Sequence, residues 1–276
     1  MFLTRLDIQN FAAHLRRQGR SAATAEKYAR EADRFAAWLG DRPPDREAAL
    51  SYRDRLSRTR PASGANGAVS ALNRLAAFLG LDWRLKALPV QRRLCREESR
   101  ELTAAEYRRL LTAAKAKKNE RLLLVMEAIC ATGIRVSELR FFTVEAVAAG
   151  RAQVTNKGKT RWVYLPAKLC KLLRAYARER GVASGPVFVT RGGKPLDRSN
   201  ICHAMKGLCR EARVEEKKVF PHNLRHLFAR TFYRLEKDIV HLADILGHSS
   251  VDTTRIYTLE SSRTYRKRLE RLNLLL

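Results

Sequence analysis

The stretch Thr132-Gly133-Ile134-Arg135-Val136-Ser137-Glu138-Leu139 marks a break between two helices in the second half of the chain. The apolar pattern of residues 119–131 predicts a helix, and Gly133 is the residue type that most readily ends one. Glu138 follows Arg135 by three residues, which places both side chains on one face of the next helix. The carboxylate can therefore orient the guanidinium, and a polar site is expected at this break.

Outward from this stretch, further short fragments carry cations and histidines, and the last one ends in a tyrosine. They are Asn156-Lys157-Gly158-Lys159, His222-Asn223-Leu224-Arg225-His226, Leu246-Gly247-His248 and Tyr257. A guanidinium matches phosphate oxygens, and an imidazole can bind a phosphate or transfer a proton near neutral pH. A tyrosine nine residues after the last histidine can attack the phosphodiester that the cations hold. These residue types predict phosphoryl transfer.

The order and the contexts of these fragments resemble the tyrosine recombinases, the phage-type or Xer-like integrases, over the whole chain. In that family two arginines clamp the phosphate and a hairpin lysine protonates the leaving 5′-oxygen. Histidines bind the phosphate or transfer a proton, and a tyrosine is the nucleophile. The resemblance assigns these roles to Arg135, Arg225, Lys157, His222, His248 and Tyr257, with support from Glu138 and His226.

Two assignments leave alternatives. Lys159 competes with Lys157 for the role of the acid, and Lys157 is preferred because its neighbours match the family's turn better. Tyr265 competes with Tyr257, but it lacks the Thr-Thr-x-x-Tyr context.

The charge of the chain points to a polyanionic partner. The 276 residues include 55 Lys and Arg against 28 Asp and Glu, a formal net charge of +27. An excess of this size attracts polyanions and speeds their capture, and nucleic acid is the obvious one. Neither a metal nor a cofactor is expected, since the sequence has no H-E-x-x-H motif, no carboxylate cluster and no C-x-x-C spacing.

The five cysteines form no disulfide framework, and no secretion signal or membrane-spanning stretch is visible. A soluble, cytoplasmic and nucleoid-associated protein is therefore expected. The length fits one large or two modest domains.

The periodicity predicts a mainly α protein with a small antiparallel β-sheet. Residues 1–82 read as a helical bundle, similar to the family's core-binding domain. Residues 83–101 read as a basic linker, with Arg92, Arg93 and Arg96 placed to cross DNA. Residues 102–276 read as a mixed α/β catalytic domain with three short strands, near 152–155, 161–165 and 187–189. Lys159 and Arg161, in the first hairpin, are further expected DNA contacts.

The resemblance implies a site-specific recombinase that cuts and rejoins DNA through a covalent 3′-phosphotyrosyl intermediate, without metal or ATP. It also implies double-stranded DNA with an inverted-repeat core site, a dimer on each site and a tetramer at synapsis. Two other functions stay open: a non-catalytic DNA-binding relative, and a type IB topoisomerase-like enzyme that only relaxes supercoils. The segment from Arg263 carries a leucine stripe that either docks on a neighbouring protomer or packs on its own domain.

Overall fold

The computed structural model describes residues 2–91, 94–95, 98–156, 158–190, 192–259 and 261–274. The chain divides into two compact units, residues 1–92 and 93–276. Within the described ranges, no helix is long and apolar enough to cross a membrane.

The first unit is a bundle of four helices. They are α1 (Arg5–Arg17), α2 (Ala22–Leu39), α3 (Arg46–Thr59) and α4 (Ala62–Phe78). Ser21 caps α2 as its sequence context predicts, because its hydroxyl accepts a hydrogen bond from the backbone N–H of Thr24. Although Pro43-Pro44 favours a helix start, α3 begins at Arg46, where the Asp45 side chain provides the cap.

The segment that follows α4 packs against the first unit, although its sequence reads as the start of a linker. Trp83 and Leu85 are buried in the bundle core, and the Trp83 indole N–H donates to the carbonyl of Pro44 at 2.8 Å. The side chains of Asn66 and Asn73 bind the backbone of residues 88 and 85. Two asparagine side chains thus provide hydrogen-bond partners for the N–H and C=O groups of this segment. Hydrophobic periodicity does not reveal such contacts. Arg92, Arg93 and Arg96 lie outside the described residues.

The second unit contains ten helices in its described part and one β-hairpin. They are α5 (Ala104–Ala116), α6 (Glu120–Thr132), α7 (Val144–Ala148), β1 (Arg151–Asn156), β2 (Lys159–Tyr164), α8 (Ala167–Glu179), α9 (Arg198–Lys206), α10 (Cys209–Ala212), α11 (Pro221–Glu236), α12 (Ile239–Leu246), α13 (Val251–Thr254) and α14 (Ser262–Arg271). Helix α6 is the centre of the core and packs against α5, α8 and α11. Its side chains Met126 and Ile129 are fully buried. The class predicted from sequence, mainly α with a small antiparallel sheet, is confirmed.

The sheet has two strands in the described part of the chain. The third strand expected at residues 187–189 is wrong: this segment forms only isolated bridges, between Thr143 and Pro186 and between Val189 and Pro195. Val187 and Phe188 are apolar because they are buried in the helical core. Pro186, which precedes them, and Pro195, which faces Val189, lack the N–H that a longer ladder requires. Burial, and not strand pairing, explains the apolar pattern here.

Candidate active site

The break at Gly133, between α6 and the next helix, brings Arg135 to the site. Gly133 ends α6 in the left-handed conformation, with φ of 65°. A Cβ at this position would stand 2.4 Å from the ring of Phe228 on α11, so only glycine allows the two helices to approach this closely. The helix that follows is a 3₁₀ helix, Val136–Phe141, and Arg135 occupies its N-cap position.

Glu138 is buried and holds two arginines together. One carboxylate oxygen accepts from Arg135 Nη1 at 3.0 Å, and the other accepts from the backbone N–H of Arg135 at 2.9 Å. Arg161 of β2 binds both oxygens, at 3.1 and 2.8 Å, and Asn156 adds a bond at 3.2 Å. Burial alone would raise the pKa of Glu138, but the bonds from Arg161 and Arg135 outweigh it and hold the pKa at about 2. The carboxylate is therefore ionised at neutral pH.

Helix α11 carries the second arginine of the site, Arg225. Pro221 occupies its first position, where the missing N–H costs nothing. Arg225, one turn later, is 1% exposed. Its Nη1 donates to the carbonyl of Gly133 at 2.6 Å, and its Nη2 donates to the carbonyl of Leu246 at 2.7 Å. These carbonyls belong to the C-terminal ends of α6 and α12, which carry partial negative charge. Two helix ends thus stabilise a buried guanidinium.

His248 follows the glycine that ends α12. Its Nε2 lies 3.1 Å from Arg225 Nη2, and its Nδ1 lies 2.8 Å from the hydroxyl of Thr254. Because a guanidinium can only donate, Nε2 accepts this bond, and the proton of the neutral ring is on Nδ1. Burial, followed by the charge of Arg225, lowers the pKa of His248 to about 4. The imidazole is neutral at physiological pH.

Tyr257 lies on a 3₁₀ turn, Arg255–Tyr257, directly after α13. Its side chain is buried, with the ring centroid 5.2 Å from that of His226 and 6.4 Å from that of His248. His222 in turn lies 4.3 Å from His226. Burial raises the pKa of Tyr257, and the charge of Arg225 opposes this rise.

The remaining two histidines differ in exposure. His222 is exposed at the first turn of α11, whereas His226 points inward. Burial and the neighbouring His222 lower the pKa of His226 to about 3. Desolvation by the surrounding groups, followed by the charges of Arg225 and Arg135, lowers the pKa of His222. All three imidazoles of the cluster are therefore mostly neutral at neutral pH.

The structure gathers most of the residues predicted from sequence. Hydrogen bonds join Arg135 to Glu138 and Arg225 to His248, and ring contacts join the histidines to Tyr257. Lys157 lies outside the described residues, and Lys159 is exposed at the start of β2. Tyr265, on α14, has no ring contact with the described histidines.

Arg161, which is expected from the sequence to contact DNA, is bound within the protein. Its terminal nitrogens are bound to Glu138 and its Nε donates to the carbonyl of Ile245 at 3.1 Å. Sequence reasoning also missed Thr254, a fully buried residue whose hydroxyl accepts a hydrogen bond from His248 Nδ1. The Thr-Thr-x-x-Tyr context was the available signal for it.

Two leucines of the expected stripe near the C-terminus are exposed. Leu269 and Leu272 are 50% and 58% exposed, and Leu276 lies outside the described residues. Neither residue packs on the second unit's own core.

A mainly helical fold that gathers two arginines, three histidines and a buried tyrosine is the arrangement of a phosphoryl-transfer enzyme with a tyrosine nucleophile. Residues 100–263 match the phage integrase family, and the chain therefore belongs to this family, the tyrosine recombinases.

The comparisons with individual proteins agree over almost the whole chain. The chain is 31% identical to tyrosine recombinase XerA of Thermococcus kodakarensis over 280 residues, which span 97% of this chain and 95% of the relative. The crystal structure of a lambda integrase dimer bound to a core site has a TM-score of 0.73 at 18% identity, covering 95% of this chain and 97% of that one. The XerH recombinase bound to its difH substrate has a TM-score of 0.72 at 19% identity, covering 97% and 84%. At these identities the two structures show a shared fold.

Proposed function

We propose that this chain cleaves and rejoins double-stranded DNA at a specific site through a covalent bond between Tyr257 and the 3′-phosphate. The observation that carries this proposal is one buried phenol whose ring contacts those of His226 and His248, in a cluster that also includes His222, Arg225 and Arg135. Storing the energy of the broken bond in a tyrosine ester allows rejoining without ATP.

In the cleavage step the phenol oxygen of Tyr257 forms a bond to phosphorus and the bond from phosphorus to the 5′-oxygen breaks. The phenol proton passes to a neutral imidazole of the cluster, His222 in our assignment, because its lowered pKa keeps it unprotonated and its exposure keeps it accessible. The leaving 5′-oxygen takes a proton from Lys157. Rejoining reverses each transfer, with a 5′-hydroxyl as the nucleophile.

Arg135 and Arg225 stabilise the charge that develops on the phosphate oxygens. Both guanidinia are already held by hydrogen bonds, so they need little reorganisation when the phosphate binds. His248 donates to a phosphate oxygen only after its Nε2 gains a proton. A bound phosphate favours that change, because a nearby negative charge raises the pKa of an imidazole.

The partner in this proposal is a duplex with an inverted-repeat core site, with two protomers per site and four at synapsis. The lambda integrase of one comparison forms a tetramer on a Holliday junction. The net charge of +27 supports a nucleic-acid partner. In this proposal the chain cleaves and rejoins chromosomal DNA in the cytoplasm.

A covalent-trapping experiment tests the function. A randomised library of nicked duplexes, which lose the cleaved fragment and so cannot be rejoined, is incubated with the protein. Wild type should form an adduct that survives denaturation, and sequencing the bound DNA gives the site. Tyr257→Phe should form none while still binding the duplex, and Tyr265→Phe should behave as wild type. Duplex binding without any adduct from wild type would instead identify a non-catalytic DNA-binding protein.

Activity on plasmids separates recombination from relaxation. Two copies of the selected site on one supercoiled plasmid should yield deletion or inversion products. Relaxed plasmid as the sole product would identify a topoisomerase-like enzyme.

A further inference from the structure

The C-terminal end of α12, residues 245–247, binds three arginines of the second unit. Three consecutive carbonyls accept one hydrogen bond each: Ile245 from Arg161 Nε at 3.1 Å, Leu246 from Arg225 Nη2 at 2.7 Å, and Gly247 from Arg135 Nη2 at 3.4 Å. Carbonyls at this end of a helix carry partial negative charge and lack partners within the helix, so cations are stabilised there. His248 is the next residue, and its position therefore depends on how this end is held.

Arg161 connects this end of the helix to the buried carboxylate of the site. Its two terminal nitrogens donate to both oxygens of Glu138, at 3.1 and 2.8 Å. The same carboxylate accepts from Arg135 Nη1 at 3.0 Å. A single side chain of β2 thus links the group that orients Arg135 to the end of α12.

Burial and close packing leave this link little freedom. The side chains of Arg161 and Glu138 are 15% and 2% exposed, so the pair is largely screened from solvent. Two bonds between a guanidinium and a carboxylate fix orientation as well as distance, which an ammonium group cannot do. The Arg161 Cδ also lies so near Gly247 that a Cβ added there would stand 2.8 Å from it. The turn before His248 therefore packs on the Arg161 stem and is bonded to its Nε.

We propose that Arg161 is a positioning residue that holds the Arg135 guanidinium and the turn of His248 in a fixed arrangement. Both groups must reach oxygens of one phosphate, so an error in their spacing weakens the stabilisation of the transition state. Arg161 acts through them, since its three nitrogens are already bonded within the protein. The inference rests on the proposed function, in which Arg135 and His248 bind the scissile phosphate.

The rate of adduct formation measures the effect of Arg161. The duplex selected by wild type is incubated with a saturating excess of protein, so that the rate constant is that of the bound, folded complex. A reduced folded fraction changes the protein concentration that is needed and leaves this constant unchanged. Arg161→Gln and Arg161→Lys should each slow adduct formation by about 10²-fold, the effect of a small misplacement of a reacting group.

Two variants serve to isolate the cause. Arg161→Lys keeps a positive charge beside Glu138 and loses the fork, so it separates position from charge and covers the case in which Arg161→Gln does not fold. Arg151→Gln is the matched control, because Arg151 lies on the exposed face of the same hairpin, over the ring of Trp162. It should react at the wild-type rate.

Double-mutant cycles then pair Arg161 with each group that it is proposed to position. In an Arg135→Ala or a His248→Ala background, the cost of Arg161→Gln should fall from about 10²-fold to about 10-fold, because a positioning residue loses its effect together with the group that it positions. In a His222→Ala background the cost should stay at about 10²-fold. Within the described part of the chain, the side-chain bonds of Arg161 include none to His222.

Several results would overturn the inference and leave the function intact, because wild type would still form the adduct. They are a wild-type rate for either Arg161 variant, no adduct from both of them, or equal slowing by Arg151→Gln. An undiminished cost in the Arg135→Ala or the His248→Ala background would also overturn it, since the link requires coupling to both groups. An equal fall in all three backgrounds would show a general effect in place of positioning. Absence of any adduct from wild type would reject the proposed function itself.

Discussion

Replacing Glu138 by glutamine tests the electrostatic centre of the site through its pH dependence. The substitution keeps the shape of the side chain and removes the charge that Arg135 and Arg161 share. The pKa of this carboxyl falls from its ordinary 4.5 to about 2 in the folded protein. At 1.36 kcal/mol per pKa unit, this difference corresponds to about 3 kcal/mol of stability. Little solvent screening reduces it, because the side chain is 2% exposed.

The sign follows from the direction of the shift. The folded protein keeps Glu138 ionised at pH values where the unfolded chain protonates it, so acid favours unfolding. The contribution is complete above pH 4.5 and is lost as the pH falls towards 2. The difference in unfolding free energy between wild type and Glu138→Gln should therefore shrink by about 3 kcal/mol over this range. Stability lost through the buried histidines is common to both proteins and cancels.

Urea unfolding of the full chain, followed by far-UV circular dichroism at several pH values from 7 to 2.5, measures this difference. The first unit is identical in the two proteins and contributes nothing to it. Glu236→Gln is a control, since Glu236 is exposed at the end of α11. It should stay close to wild type throughout. A gap between wild type and Glu138→Gln that does not change with pH would refute the ion-pair account.

Two further predictions concern the glycine break and the histidines. Gly133→Ala should lower the unfolding free energy by about 1 to 3 kcal/mol more than Gly150→Ala. Both glycines have positive φ, but only at Gly133 would an added Cβ clash with Phe228. Equal losses in urea unfolding would show that Phe228 moves aside without cost. The NMR signals of the His226 and His248 rings should move only near pH 3 and 4, since burial lowers both pKa values. A titration of either ring between pH 6 and 7 would contradict the buried cluster.

The local features of the site could be predicted from the sequence because each has a short-range cause. Gly133 and Gly247 both end helices in the left-handed conformation, as their contexts indicate. Pro221 begins α11, and Thr103 with Glu106 three residues later forms a capping box at the start of α5. Each signal lies within a few residues of the element that it ends or begins.

The contacts that the sequence did not reveal are long-range. Arg161 reaches Glu138 across 23 residues and Ile245 across 84, so no spacing rule connects them. Along the hairpin, Arg161 lies opposite the buried Val154, whereas Arg151 is on the exposed face. The segment containing Val187 and Phe188 was misread for a related reason, since a short apolar run does not distinguish a paired strand from a loop buried against helices.

Arg135 and Arg225, the arginines that we propose clamp the phosphate, are held in different ways, and the difference suits an anion. Arg135 shares the carboxylate of Glu138 with Arg161, whereas the described residues bring Arg225 only carbonyl oxygens and the His248 ring. Helix ends provide partial charge without cancelling the formal charge of the guanidinium. Three arginines and one glutamate therefore leave a formal charge of +2 for an anion. A second carboxylate in place of either carbonyl would stabilise Arg225 more, but it would compete directly with the phosphate for the guanidinium. Helix ends thus allow the Arg225 guanidinium to be buried in the folded protein, and they leave its charge available to stabilise the transition state.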